Sequence, residues 1–141
     1  MDAKEKYRFW EDIAEYDMVT AEAMLKAGRY LYVVFMCQQS IEKMLKGLYI
    51  LKKQKEPPRL HNLVRLFHKI YGNTDNELNP KHGLEFKNYL QLFAKLTAYY
   101  ISERYPSYRE KLSESINKKE ATEILLKTKE AFLWLKSLEK S

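Results

Sequence analysis

A single cysteine, Cys37, in a chain of 141 residues removes two chemistries at once. No intrachain disulfide can form, and no cysteine-based zinc site can be built. Glycine and proline are scarce too, four of each, too few for a disordered or loop-dominated chain. No apolar run approaches the ~20 residues of a membrane span. Charge begins at Asp2, unlike the start of a signal peptide. Gly-rich phosphate loops and serine or cysteine nucleophile arrangements are missing, as are internal repeats and convincing strands. The expectation is one cytoplasmic domain over residues 1–141, with no metal and no cofactor.

Helix is what remains. Charged residues make up 31% of the chain, with a net charge of +6, and both signs are interspersed as on a helical surface. The positive balance permits a nucleic-acid partner without requiring one. Residues 30–53 are the organising stretch. Val33, Val34, Cys37, Ile41, Met44, Leu45 and Leu48 recur at helical spacing and form one apolar stripe. Tyr32, Phe35, Met36 and Ile50 fall on the other side, so the helix is either enclosed or shared with a partner chain.

Helices are expected around it at residues 3–27, 61–71, 81–103 and, after an Asn117 cap, up to 138. Gly28 supplies a left-handed stop for the first, and Pro57 and Pro58 force an extended linker after the second. The pattern predicts an all-α fold, an up-down four-helix bundle with one additional short helix. The excess apolar surface on the 30–53 and 81–103 helices predicts a homodimer in which those helices meet their copies.

Five sets of residues could carry chemistry. Arg104 lies in phase with Phe86, Phe93 and Thr97 if the fourth helix continues, and a guanidinium there either meets a phosphate or bonds a loop carbonyl. Asp17 falls within the first apolar stripe, where a carboxylate needs a cation or a hydrogen-bond donor. Glu42 lies four residues before Lys46. It is read either as a surface ion pair or as part of a polar pocket with Arg104. His61 and His68 could share one face of the short helix, a weak metal pattern without clustered carboxylates. Tyr99, Tyr100, Tyr105 and Tyr108 could stack bases while Arg29, Arg104, Arg109 and Lys111 neutralise phosphates. Tyrosine is equally at home in protein interfaces.

The run Gln38-Gln39-x-x-Glu42-Lys43-x-x-Lys46 resembles the signature helix of HEPN-domain proteins, a helical family associated with nucleotidyltransferases and RNA cleavage. Trp10 and Asp17, then Gly28-Arg29-Tyr30, then His61-Asn62-Leu63, then Tyr100-Ile101-Ser102-Glu103-Arg104-Tyr105-Pro106 follow in the order and spacing of that family. The resemblance covers residues 7–135. It implies a small binding and assembly module that partners a minimal nucleotidyltransferase in a toxin–antitoxin-like system and binds nucleotide or RNA phosphate. Arg104, Glu42, Tyr108 and Arg109 would be its ligand-binding residues, and Asp17 and His61 its structural polar residues.

HEPN ribonucleases use an Arg followed a few residues later by a His. Arg104 resembles that Arg by position, but residues 105–141 contain no His, and Tyr108 and Arg109 stand in its place. Tyrosine is a poor general base at neutral pH. The alternatives implied are a metal-independent endoribonuclease toxin using Arg104, or a nucleotide-binding regulator.

Overall fold

The computed structural model describes residues 1–72, 83–103 and 114–140. Five helices appear among them: α1 (Ala3–Lys26), α2 (Tyr30–Lys53), α3 (Leu63–Tyr71), α4 (Gly83–Glu103) and α5 (Lys118–Ser137), followed by a 3-10 turn, Leu138–Lys140. The described residues contain no strand. The fold is all-α, an up-down bundle of four long helices with one additional short helix.

Local chemistry sets the helix ends. The Asp2 side chain accepts the Glu5 N–H at 2.8 Å to start α1, satisfying one of the donors that a helix start leaves open. At the other end Gly28 adopts φ 74°. The Arg29 N–H then reaches Met24 O at 2.9 Å and the Gly28 N–H reaches Leu25 O at 3.1 Å, a paired-bond stop that needs a left-handed residue. Asn117 accepts the Glu120 N–H at 2.9 Å to open α5.

The short helix begins later than the sequence suggests. Asn62, not His61, caps it, accepting the Arg65 N–H at 3.1 Å, so His61 lies before the helix and does not share a face with His68. The expected start of the fourth helix, residues 81 and 82, lies outside the described residues.

The α2 helix packs against all four other helices, which explains why its apolar residues are not confined to one stripe. It approaches α1 closely at Gly47, where an added Cβ would sit 3.0 Å from Trp10 Cβ and 3.3 Å from the Tyr7 ring. The two helices run antiparallel through this contact and through Ser40 Oγ, which donates to Ala14 O at 2.8 Å. Phe67 of α3 is fully buried. It contacts Phe86 and Phe93 of α4 and stacks on Trp134 of α5 at 5.7 Å. Arg8 ties the C-terminal turn to α1 by bridging Glu11 at 3.2 Å and Glu139 at 2.6 Å, while Tyr7 OH donates to Glu11 at 2.9 Å.

Candidate functional site

The site grows from Glu42, whose place on α2 turns its carboxylate toward the loop that enters α3. Glu42 is 5% exposed, and a carboxylate removed from water requires charged or hydrogen-bonding partners. It has three. Gln38, one turn before it, donates from Nε2 at 3.1 Å. Lys46, one turn after it, donates from Nζ at 3.0 Å. His61 Nδ1 lies 2.9 Å from its Oε1.

The loop carrying His61 is pinned from both sides. Gln38 Nε2 also donates to the His61 carbonyl at 3.0 Å. Thr97 Oγ1 of α4 accepts the Leu63 N–H at 3.1 Å while donating to Phe93 O. The His61 ring lies beside Tyr100, centroids 5.2 Å apart, and Tyr100 stacks on Phe35 at 5.6 Å. Two helices, α2 and α4, thus fix the orientation of one loop imidazole. Its side chain remains 46% exposed, and its Nε2 has no hydrogen-bond partner among the described residues.

Several sequence expectations change here. Glu42 is no surface ion pair, because the carboxylate is buried and shared among three donors. His61 lies before α3 and makes its polar contacts with Gln38 and Glu42 of α2. Tyr100 is buried, with Phe35 on one ring face, so it is not an open platform for a base. No three His, Cys, Asp or Glu side chains gather as a metal cluster among the described residues. Arg104, Tyr108 and Arg109, with Tyr105, Lys111 and His82, lie outside the described residues.

Asp17 is buried apart from this cluster, paired with Lys43 of α2. Gln38 and Thr97 are the members that sequence reading missed. The four-residue spacing from Gln38 to Glu42 was a signal for the first. Thr97 gave none, because its partner is Leu63 on another element.

Other features offer less chemistry. Burial pushes the Cys37 thiol up to about 12, which leaves it without a thiolate at neutral pH. A groove of about 340 Å³ runs between α4 and α5, but its Lys95 is committed to Glu120 at 2.8 Å, and no histidine or cysteine lines it among the described residues.

Comparison with known proteins agrees with the helical reading. A family model described as HEPN domain matches residues 7–138. The crystal structure of TT1696 from Thermus thermophilus is similar in fold, with a TM-score of 0.69 and 19% sequence identity over 94% of this chain and 97% of that one. No curated protein matches the chain.

Proposed function

The chain belongs to the HEPN-domain family, and on that premise we propose that it is a phosphate-binding and assembly module. It takes nucleotide or RNA at the end of the bundle where α2, the α3 entry loop and α4 converge. The observation that carries this reading is the buried Glu42 carboxylate, which holds Lys46 and a part-exposed His61 in fixed positions beside Tyr100. A polar cluster of this kind on rigid elements suits recognition better than stability, because buried ion pairs contribute little net stability. Arg104 follows Tyr100 by four positions in the sequence and supplies the guanidinium for phosphate, with Tyr108 and Arg109 as further ligand-binding residues.

In this reading the protein is cytoplasmic and homodimeric. It works with a separately encoded minimal nucleotidyltransferase in a toxin–antitoxin-like pair. Co-expression with an adjacent reading frame of that kind, followed by co-purification, tests the pairing.

Binding of labelled single-stranded RNA and of ATP, followed by fluorescence anisotropy, tests the site. Arg104→Ala weakens binding, and added salt weakens it further because the attraction is to phosphate. Binding that ignores both would remove Arg104 and leave it a structural residue.

A second reading, a metal-independent endoribonuclease toxin using Arg104, is favoured by one observation. His61 supplies, through folding, a proton-handling group that the sequence after Arg104 lacks.

A further inference from the structure

We propose that residues 52–69 form a track for the phosphodiester backbone of a single-stranded polynucleotide, so that the ligand of the site beside it is a chain of nucleotides and not a single one. This deepens the proposed function and rests on its reading of that site as one for nucleotide or RNA phosphate.

The charge of the protein is concentrated in this segment. Residues 52–69 hold six bases, Lys52, Lys53, Lys55, Arg59, Arg65 and Lys69, against one acid, Glu56. That balance of +5 accounts for all but one unit of the net charge of +6. The rest of the chain is close to neutral. Such an asymmetry within one short segment is the electrostatic footprint of a polyanion partner.

The fold leaves this charge free. Glu56 is taken by Lys6 of α1 at 2.6 Å, and Lys52 donates to the Glu139 carbonyl at 3.2 Å. Lys53, Lys55, Arg59, Arg65 and Lys69 are exposed, with no carboxylate partner among the described residues. On α4 and α5, surface lysines are instead paired, Lys95 with Glu120, Lys129 with Glu22 and Lys136 with Glu15. Five uncompensated cations repel one another, and a bound anion relieves that repulsion.

The cations also lead to the site. α2 ends at Lys53, with Gln54 in the left-handed region at φ 56°. Pro57 and Pro58 keep the loop that follows extended, which holds Lys55 and Arg59 apart. That loop is fixed at Glu56 by Lys6. It is fixed again at His61, whose carbonyl accepts from Gln38 Nε2 at 3.0 Å. Arg59 lies on the chain between these anchors. Glu42, which meets the His61 ring, precedes the end of α2 at Lys53 by about 16 Å of helix rise. Past the loop, Arg65 and Lys69 stand one turn apart on the side of α3 opposite its buried Leu66, Phe67 and Ile70. A span of this length meets several phosphates in succession, more than one nucleotide offers.

A polynucleotide fits this surface better than an acidic protein does. No large apolar side chain is exposed within residues 52–69, whereas a protein interface has an apolar centre. Attraction through charge alone is the mode of a nucleic-acid backbone.

The test follows fluorescence anisotropy of labelled single-stranded RNA, from dinucleotide to octanucleotide, and of labelled ATP, with the full chain over a range of salt. For the wild type, the log–log slope of affinity against salt is expected to steepen from dinucleotide to octanucleotide. Lys55→Gln, Arg59→Gln and Arg65→Gln combined are expected to lower the octanucleotide slope by about 2, at ~0.7 per phosphate contact, while ATP affinity holds. Lys118→Gln, Lys119→Gln and Lys127→Gln combined remove the same charge from the exposed side of α5 and are expected to leave that slope unchanged. The wild-type length series reads the track without any substitution.

A track variant with the wild-type slope, or an α5 variant that loses as much, would overturn the track. An octaglutamate peptide that binds as tightly as the octanucleotide would overturn the polynucleotide assignment. A wild type that binds ATP and RNA with a slope indifferent to length would overturn the track and leave the phosphate site standing. A wild type that binds neither would overturn both.

Discussion

Asp17 and Glu42 are both acids on helices that the sequence marks as apolar, and the fold gives them different donors. Asp17 sits in the α1–α2 contact against Lys43. Replacing it with Ala strands a part-buried ammonium, so Asp17→Ala lowers the unfolding free energy by about 1–3 kcal/mol in a denaturant titration. An unchanged midpoint would show that Lys43 finds water instead. Position on a stripe made Asp17 legible from sequence, whereas its partner was not, because Lys43 faces it only once two helices pack. The same limit hid the burial of Glu42, whose spacing to Lys46 is also that of an ordinary surface pair. Cys37 was legible as an inert thiol. With its pKa pushed up to about 12 by burial, it resists alkylation by iodoacetamide at pH 8 in the native state and reacts on unfolding. Rapid native alkylation would contradict its position. Tyr7 belongs to the same alkaline regime. Burial first, and its bond to Glu11 second, hold its hydroxyl well above the usual phenol range. The folded state therefore keeps a proton that the unfolded chain loses above about pH 10. Stability from this group is full below that pH and falls as pH rises further, by about 1.4 kcal/mol per pH unit. Tyr7→Phe flattens the decline seen in thermal melts between pH 9 and 11, and an unaltered slope would remove Tyr7 as its cause.

Among the elements, α2 and α3 show what periodicity reveals and what it leaves out. The stripe of α2 was plain in the sequence, and so was its second apolar side. The structure accounts for that side by packing α2 against every other helix. The start of α3 was misplaced by two residues because a histidine and an asparagine adjoin, and only the hydrogen bond from the Arg65 N–H identifies Asn62 as the cap. That displacement matters, since it frees His61 to reach across to α2. The close approach at Gly47 had no sequence signature beyond the glycine itself. Gly47→Val forces a branched side chain against Trp10 and Tyr7 and costs about 1–3 kcal/mol by overpacking. Phe67→Ala, which empties the contact among α3, α4 and α5, costs about 3–5 kcal/mol. Both are read from unfolding curves. A Gly47→Val midpoint equal to the wild type would mean that α1 and α2 separate at little cost.

Across the whole molecule the apolar surface is distributed differently from the expectation. Tyr32, Phe35 and Met36 on α2 are half-buried, and Phe35 is occupied by Tyr100. Among the described residues, the large exposed apolar side chains are Met1, Phe9, Tyr16 and Val19 at and along α1, Ile101 on α4, and Leu126 and Leu133 on α5. The Glu15–Lys136 and Glu22–Lys129 bridges tie α1 and α5 together. If the protein pairs with a copy of itself, this seam offers apolar area that α2 does not, and Tyr16→Glu with Leu133→Glu converts a dimer into a monomer in sedimentation at micromolar concentration. A wild type that sediments as one chain would end the homodimer proposal. The candidate site is likewise a property of the whole. Gln38, Glu42, His61, Thr97 and Tyr100 come from α2, a loop and α4, and no spacing rule within one helix joins them. The central claim is that phosphate ligands bind where those elements meet. Titrating isotopically labelled protein with a short single-stranded RNA and following its amide resonances tests this directly. The account predicts salt-sensitive shifts concentrated at residues 38–46, 61–63 and 97–100. Shifts confined to the α1–α5 seam or to the groove between α4 and α5, or no shifts at all, would contradict it.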